Sequence, residues 1–243
     1  MNKNVIITGG SQGIGRNIVY TLAREGCNII FSYNNSEKEA QEIKEELLKE
    51  KCNVEIFKAD ISKKTDIDAL VQFAINKFKN IDVLINNAGI SQIKLFTDIT
   101  EEDWNNIVLT NLSSVFFLTQ GIAKNMINNQ SGCIINISSI WGDVGASCEV
   151  HYSTVKAGVN GFTKALAKEL GFSGIRVNAI SPGIIDTRMN EHLSVEEKEE
   201  LKEEIPLRKI GKPEDISKCV KWLIEDEYTT GQIISINGGW GIR

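Results

Sequence analysis

Short apolar runs alternate with longer amphipathic segments along the whole chain, and this alternation limits the possible folds more than any other feature. Nearly continuous apolar runs are typical of strands that are buried on both faces of a parallel sheet. Apolar residues at intervals of three and four are typical of helices that cover such a sheet. With right-handed crossovers, the pattern predicts a doubly wound α/β fold, in which helices cover both faces of a seven-stranded parallel sheet.

The whole chain, residues 1–243, is predicted to form one domain, because open α/β sheets often reach this length and no linker interrupts the pattern. Asp186–Ile205 reads as an insertion and is predicted to form a small, charged helical flap. The predicted strands are Val5–Thr8, Asn28–Ser32, Val54–Lys58, Val83–Asn86, Cys133–Ile137, Arg176–Ile180 and Ile233–Ile236. The predicted helices are Ile14–Glu25, Lys38–Glu50, Asp66–Phe78, Leu112–Asn128, Tyr152–Leu170 and Glu214–Ile224.

Charge and cysteine content narrow the classes of partner and compartment. With 27 basic and 32 acidic residues the net charge is −5, so the wide positive field of a nucleic-acid binder is not expected. The five cysteines are odd in number and lack CxxC spacing, so neither a disulfide framework nor a zinc site is predicted. No signal peptide and no run long enough to span a membrane is expected. These observations predict a cytoplasmic protein that binds neither nucleic acid nor a membrane.

A glycine-rich segment, Thr8–Gly15, follows the first predicted strand and precedes the first helix. Glycine lets the backbone turn tightly and approach a ligand, while the N-terminus of the helix favours a pyrophosphate. In this context the segment predicts a dinucleotide site of the Rossmann type, and the alternative is a plain glycine-rich turn. The predicted contacts to the cofactor are Gly9, Ser11, Gln12, Gly13, Ile14 and Gly15.

The spacing TGxxxGIG in this segment resembles that of the short-chain dehydrogenase/reductase family, and the likeness continues through nearly the whole chain. Asp60 matches the family's adenine-contacting aspartate, Asn86–Gly89 matches its NNAG motif, and Pro182–Thr187 matches its PGxxxT element beside the nicotinamide. Taken singly, Asp60 also reads as a helix cap and Pro182-Gly183 as a turn. The resemblance implies cofactor contacts from Asp60, Ile61, Asn87, Ala88, Gly89, Pro182, Gly183, Ile185 and Thr187.

The end of the second predicted strand bears on the choice between NADPH and NADH. An acid at this point would bind the ribose 2′-hydroxyl and repel a 2′-phosphate. This chain instead has Tyr33, Asn34 and Asn35, which are predicted to contact the cofactor, so NADPH is favoured over NADH. Gln12 weakens this indication, because it stands where many NADP-using relatives carry arginine.

Tyr152 and Lys156 lie four residues apart at the start of a predicted helix, so their side chains share one face. A neighbouring ammonium stabilises a phenolate, so Lys156 is expected to lower the pKa of Tyr152 below about 10. Ser139, at the end of the fifth strand, can donate a hydrogen bond to a developing oxyanion. Alone, the pair would be an ordinary surface pair. The spacing of Ser139, Tyr152 and Lys156 matches that of the family, so the resemblance implies a catalytic role for all three. It implies a catalytic role for Asn111 as well, which matches the family's water-holding asparagine. It also places Tyr152 and Lys156 against the cofactor.

Two substrates are considered within the family. The segments Pro206–Arg208, Gly211–Ile216 and Asn237–Gly239 resemble those of 3-oxoacyl-(acyl-carrier-protein) reductases, which implies reduction of a β-ketoacyl thioester on an acyl carrier protein. Those enzymes dock their acidic carrier through basic residues, but the matching positions here are Gln130 and Ser173. This docking charge is therefore absent.

The loop between Ser139 and Tyr152 resembles that of elongation factor P 5-aminopentanone reductases, which reduce a ketone on a modified lysine of that factor. Trp141, with Asp143 or Glu149, is predicted to receive a substrate that ends in an ammonium. The alternative is that both acids are solvated loop charges. The 5-aminopentanone on elongation factor P is the predicted substrate, and the 3-oxoacyl thioester is the alternative.

Three further expectations concern function, metals and assembly. A non-catalytic dinucleotide-binding sensor is the remaining alternative function. His151 is expected to be structural, Cys148 to form a pocket wall, and neither His151 nor His192 has a companion at metal-ligand spacing, so no metal is expected. The family's helices that match Leu112–Asn128 and Tyr152–Leu170 pair between subunits, so the resemblance implies a homotetramer, with a dimer as the alternative.

Overall fold

A computed structural model describes residues 1–191 and 193–242. Its seven strands form one parallel sheet in the order β3-β2-β1-β4-β5-β6-β7, so the strand order reverses between β1 and β4. The doubly wound α/β prediction is confirmed. The strands are β1 Asn4–Ile7, β2 Asn28–Tyr33, β3 Val54–Lys58, β4 Val83–Asn86, β5 Gly132–Ile137, β6 Ile175–Pro182 and β7 Ile233–Ile236.

Nine α-helices lie in the described part of the chain, and two of them were not predicted. The two are Trp141–Val144 and Glu101–Val108, of which the latter precedes the predicted helix at 112–128. Glu101–Val108 is capped by Thr100, whose hydroxyl accepts from the N–H of Asp103. The helices are α1 Gly13–Arg24, α2 Glu37–Lys49, α3 Lys64–Phe78, α4 Glu101–Val108, α5 Ser114–Asn129, α6 Trp141–Val144, α7 Val150–Leu170, α8 Val195–Glu204 and α9 Pro213–Glu225.

Each central strand contributes side chains to two hydrophobic cores, because successive side chains point to opposite faces of a sheet. In β1, Val5 and Ile7 lie in the core that α1, α2 and α9 cover, whereas Ile6 lies in the core that α3, α5 and α7 cover. All three side chains are fully buried. Burial on both faces accounts for the continuous apolar runs in the sequence.

The helix from Glu101 to Asn129 is long and apolar enough to cross a membrane by length and composition, although no such segment was expected from the sequence. Its apolar character has an explanation within the fold. Leu118, Ile122 and Met126 are buried in the core between the sheet and α3. We therefore interpret it as a core helix of the α/β fold.

A row of buried polar side chains links the two central strands to their covering helices. The amide of Asn86 donates to Thr119 Oγ1 at 3.0 Å and to Asn136 Oδ1 at 2.8 Å, and the amide of Asn136 donates to Thr163 Oγ1 at 2.9 Å. The row joins α5, β4, β5 and α7. A buried polar group is costly without a partner, so each member depends on the next.

Replacing Asn136 by leucine should destabilise the protein, because the amide of Asn86 loses an acceptor and Thr163 loses a donor in a dry environment. We expect the free energy of unfolding to fall by about 1–3 kcal/mol. Urea denaturation followed by circular dichroism measures this change. The same substitution at exposed Asn129 is the control and should alter stability by less than about 0.5 kcal/mol. Equal effects of the two substitutions would contradict the interpretation.

Candidate active site

The glycine-rich turn is held against the end of β4 by Thr8 and Asn87. Thr8 Oγ1 accepts hydrogen bonds from the N–H groups of Asn87 and Ala88, each at 3.0 Å. The amide of Asn87 donates to the carbonyls of Thr8 and Gly9 at 2.9 and 3.1 Å. The side chain of Asn87 thus braces the turn, a role that the motif alone did not reveal.

The glycines in this turn are required by close packing. A Cβ on Gly15 would lie 2.1 Å from the carbonyl oxygen of Gly9, and a Cβ on Gly10 would lie 2.6 Å from Phe31. Gly13 has a positive φ of 49° and lies against Thr187 of the PGxxxT element. Within the described residues no side chain caps the N-terminus of α1, so its N–H groups remain available to an anion. The turn therefore fits a pyrophosphate.

The predicted contacts around the end of β2 lie next to this turn. Tyr33 is buried, Asn34 and Asn35 are exposed, and the amide of Gln12 donates to Ser36 Oγ. The first acids of α2, Glu37 and Glu39, form ion pairs with Lys58 at 3.4 Å and Arg188 at 3.9 Å. Asparagines rather than carboxylates therefore stand at the end of β2.

Asp60 shapes the chain between β3 and α3. Its carboxylate accepts from the N–H and hydroxyl of Ser62 at 3.1 and 2.7 Å and lies 3.2 Å from Lys63 Nζ. The bond from Ser62 and the nearby Lys63 lower the pKa of Asp60. Ile61 beside it is buried. Asp60 thus fixes the turn before α3 without capping the helix, whose N-cap residue is Lys63, and its role toward adenine stays a prediction.

Ser139, Tyr152 and Lys156 converge at the carboxyl end of β5. Ser139 follows β5, and α7 carries the other two residues on one face. All three are buried. Lys156 Nζ lies 5.6 Å from the centre of the Tyr152 ring and donates to the carbonyl of Ile137 at 2.9 Å. The hydroxyl of Ser139 accepts from the N–H of Trp141 at 3.2 Å and is hydrogen-bonded to Tyr152.

The expectation that Lys156 lowers the pKa of Tyr152 is not met in the protein alone. Burial raises the pKa of Tyr152 to about 12, Ser139 opposes the rise through its hydrogen bond, and the charge of Glu149 adds to it. Burial lowers the pKa of Lys156 to about 8. For Tyr152, desolvation outweighs the hydrogen bond of Ser139. At neutral pH the pair is therefore a phenol beside an ammonium, and the phenol can donate a proton.

Asn111 lies on a π-helical turn, Leu109–Ser113, that joins α4 to α5. Such turns occur frequently at functional sites. Asn111 Oδ1 accepts from the N–H of Ile90 at 2.8 Å, and its amide donates to the carbonyl of Ile90 at 2.7 Å. A Cβ on Gly89 would lie 3.0 Å from Asn111 Oδ1 and 3.7 Å from Lys156 Nζ. Asn111, Gly89 and Lys156 therefore meet at one point.

A cleft of about 250 Å³ opens beside Ser139 and Tyr152. Trp141 and Glu149 line it as predicted, and so does Gly183 of the PGxxxT element. The sequence did not indicate the rest of the lining, because these residues come from several separate segments: the loops after β4, β5 and β6, the flap and the C-terminal segment. The additional lining residues are Ser91, Ile93, Ile140, Ile184, Met189, Asn190, Leu193, Leu201 and Trp240.

The structure corrects the prediction that Asp143 faces the substrate. Asp143 is not among the residues that line the cleft. Its carboxylate accepts from the hydroxyl of Ser181 at 2.6 Å and from the amide of Asn160 at 3.0 Å. Asp143 lies in the short helix α6, which turns it toward β6 and α7 while Trp141 faces the cleft. It therefore anchors the loop, and Glu149 is the acid in the cleft.

His151 is buried and its Nε2 lies 3.0 Å from Gln92 Oε1, in agreement with a structural role. Burial lowers its pKa. Cys148 is partly buried and does not line the cleft. Among the described residues, no group of three or more histidines, cysteines or acids is placed to hold a metal ion. The expectation for His192 falls outside the described residues.

Sequence comparison decides the family. The family model described as short chain dehydrogenase matches residues 3–198. The chain belongs to the short-chain dehydrogenase family. This short-chain dehydrogenase is 42% identical over 243 residues to an uncharacterised oxidoreductase of Bacillus subtilis, YmfI, with 99% of each chain covered. Family membership and this relative identify it as an oxidoreductase.

Two further relatives agree with the fold and the family. The short-chain dehydrogenase is 38% identical over 241 residues to the 3-oxoacyl-(acyl-carrier-protein) reductase FabG of Staphylococcus epidermidis, with 98% of this chain and 99% of the relative covered. A solved structure of a mutant Serratia marcescens short-chain dehydrogenase/reductase is 32% identical and has a TM-score of 0.93, with 99% and 98% of the two chains covered.

The two shifted pKa values predict how activity depends on pH. We expect kcat/KM of this short-chain dehydrogenase in the reductive direction to fall as pH rises through about 8, because Lys156 then loses its charge while Tyr152, with a pKa of about 12, stays protonated. Initial rates between pH 6 and 10 measure this profile, with cofactor affinity determined at each pH as the control. A constant kcat/KM up to pH 10 would contradict the assigned protonation of Lys156.

Proposed function

We propose that this short-chain dehydrogenase uses NADPH to reduce a ketone to a secondary alcohol. The observation that carries the proposal is the convergence of Ser139, Tyr152 and Lys156 at the edge of the sheet, next to a glycine turn that fits a pyrophosphate. In open α/β sheets this edge, at the reversal of strand order, is where ligands bind. A dinucleotide-binding sensor would not need these three side chains together.

The cofactor is proposed to lie along the carboxyl edge of the sheet. Its pyrophosphate would bind the N-terminus of α1 and the turn Gly9–Gly15, its adenine would lie by Asp60 and Ile61, and its nicotinamide by Pro182–Thr187. Bound there, NADPH supplies the hydride. NADPH is preferred over NADH because asparagines stand at the end of β2 and the first acids of α2 are paired with Lys58 and Arg188.

The catalytic side chains then handle the oxygen of the ketone. Ser139 donates a hydrogen bond that polarises the carbonyl and stabilises negative charge on its oxygen. Tyr152 transfers its phenolic proton to that oxygen, and the ammonium of Lys156 stabilises the phenolate that remains. Asn111, held by both polar groups of Ile90, would keep the surroundings of Lys156 polar and connect it to solvent. The product is a secondary alcohol.

Two substrates have separate support. The likeness to 3-oxoacyl-(acyl-carrier-protein) reductases supports a 3-oxoacyl thioester carried on an acyl carrier protein. The cleft supports a cationic ketone, such as the 5-aminopentanone on elongation factor P. Among its described lining residues are two indoles and Glu149 but no lysine or arginine. Indole faces and a carboxylate attract an ammonium.

A homotetramer in the cytoplasm is the proposed state of the enzyme. The exposed faces of α5 and α7 carry an aromatic contact, Phe116 to Phe162, with ring centres 5.9 Å apart. Phe116 is 46% exposed and Leu109 44% exposed on the same continuous helix. Exposed apolar residues on the two helices that pair between subunits in this family support the assembly.

The proposed mechanism requires the phenol of Tyr152. We expect Tyr152→Phe to lower kcat by about 10²–10⁴-fold, as is typical when a general acid is lost, with NADPH affinity unchanged. Steady-state assays of NADPH oxidation with a ketone panel and fluorescence titration of NADPH measure both quantities. Wild-type enzyme should give a larger kcat/KM with NADPH than with NADH. Full activity of the variant would refute the assignment, and a preference for NADH would refute the cofactor.

Removing the charge of Glu149 distinguishes the two candidate substrates, the cationic ketone and the 3-oxoacyl thioester. With a short aminoketone, we expect Glu149→Gln to raise KM roughly fivefold, because the ammonium loses its carboxylate partner. An acetoacetyl thioester of similar length should be unaffected. Glu102→Gln, which removes an exposed acid of α4, is the matched control. Efficient reduction of the thioester together with poor reduction of the aminoketone would select the acyl carrier protein as the partner instead.

A further inference from the structure

Trp240 reaches the catalytic cleft from the last residues of the described chain. After β7 the chain turns back over the carboxyl edge of the sheet. Asn237 holds this turn: its Oδ1 accepts from the N–H of Gly239 at 3.0 Å, and its amide donates to the carbonyl of Gly241 at 3.1 Å. The direction of Trp240 is thus set by a specific turn of the backbone.

The C-terminal segment, residues 237–242, is packed between the catalytic loop and the flap. A Cβ on Gly241 would lie 3.0 Å from Ile140, next to Ser139, and a Cβ on Gly238 would lie 2.7 Å from Ile205, next to α8. The N–H of Leu207 donates to the carbonyl of Gly238 at 3.1 Å. These contacts bring the indole of Trp240 to a defined place in the wall of the cleft.

Trp240 pairs with Trp141 across the cleft wall. The ring centres lie 5.0 Å apart at an interplanar angle of 64°, a favourable edge-to-face geometry. Both residues line the cleft that contains Ser139 and Tyr152. The Nε1–H of Trp240 also donates to Glu204 at 3.3 Å, at the end of α8. Because α8 supplies Leu201 to the same cleft, this bond links the aromatic wall to the flap.

We infer that Trp240 is a specificity-determining residue, which with Trp141 forms an aromatic wall for the substrate chain beyond the reacting carbonyl. The inference rests on the proposed function and goes beyond it, because it assigns the surface that binds the substrate chain to Trp141 and Trp240, which are far apart in the sequence. A ketone with a chain of several carbons lies along both indoles. A very small ketone contacts Ser139 and Tyr152 alone.

Binding of two matched ketones to the complex of enzyme and NADPH tests the inference. Calorimetry gives the Kd of 4-heptanone and of acetone for the Tyr152→Phe enzyme and for the same enzyme with Trp240→Ala added, because loss of the phenol slows turnover while binding is measured. We expect the variant to bind the longer ketone about tenfold more weakly, as loss of a packed indole implies, and acetone with unchanged affinity. An unchanged ratio of the two Kd values would overturn the inference.

Three variants serve as controls. Trp222→Ala removes a half-exposed indole of α9 that does not line the cleft, and it should leave both Kd values unchanged. Trp240→Phe keeps an aromatic ring, and it should retain most of the affinity for the longer ketone even if the alanine variant is unstable. Combining Trp141→Ala with Trp240→Ala should cost less than the product of the single effects, because the two rings form one wall. Independent effects would contradict a shared wall.

The binding experiment distinguishes failure of the aromatic wall from failure of the proposed reaction. Chain-dependent binding that Trp240→Ala abolishes, in an enzyme that reduces no ketone, would support the aromatic wall and refute the reductase. Turnover of both ketones, together with a ratio of Kd values that Trp240→Ala leaves unchanged, would support the reductase and refute the aromatic wall. If the complex that retains Trp240 binds neither ketone, both the aromatic wall and the reductase are refuted.

Discussion

The site depends on the hydrogen bonding of Lys156, whose ammonium group is buried. Taking a charge out of water is costly, so its nitrogen must find polar partners in the interior. It donates to the carbonyl of Ile137 at 2.9 Å, and the hydroxyl of Ser138 donates to the carbonyl of Lys156 at 3.3 Å. These two bonds fasten α7 to the end of β5. They thereby fix the position of Tyr152 relative to Ser139.

Most of the fold was predictable because burial on both faces of a parallel sheet leaves apolar runs that local sequence reveals. The seven strands were found with small errors, such as the end of β6, which continues to Pro182. Helix α4 was missed because it has only 8 residues, of which Ile107 alone is buried, so it offers few apolar positions in which a period can be seen. The capping residues Thr100 and Asp103 were the available signal. The short helix α6 follows no periodic pattern and depends on the packing of Asp143.

The candidate site was predictable where its residues follow strand ends in recognisable motifs. The glycine turn, Asn87, Asn111, Ser139, Tyr152 and Lys156 all lie at one edge of the sheet as expected. Trp240 was not foreseen, because its place in the cleft arises from a return of the chain that no local pattern encodes. The pKa of Tyr152 was expected to fall. The direction of the pKa shift, however, depends on how deeply the phenol is buried, which only the three-dimensional structure gives.

The two sides of the cleft differ in how firmly they are held. On the catalytic side, a buried hydrogen bond of Lys156 fastens α7 to the sheet, and a partly buried one of Asp143 fastens the loop with Trp141. On the other side, α8 contributes no buried residue, and its bond from Trp240 to Glu204 is exposed to solvent. Exposed hydrogen bonds and sparse packing mark regions that open at low free-energy cost. In the proposed reaction, proton transfer therefore takes place on the rigid side, and the proposed aromatic wall joins that side, through Trp141, to the side that can adjust, through Trp240.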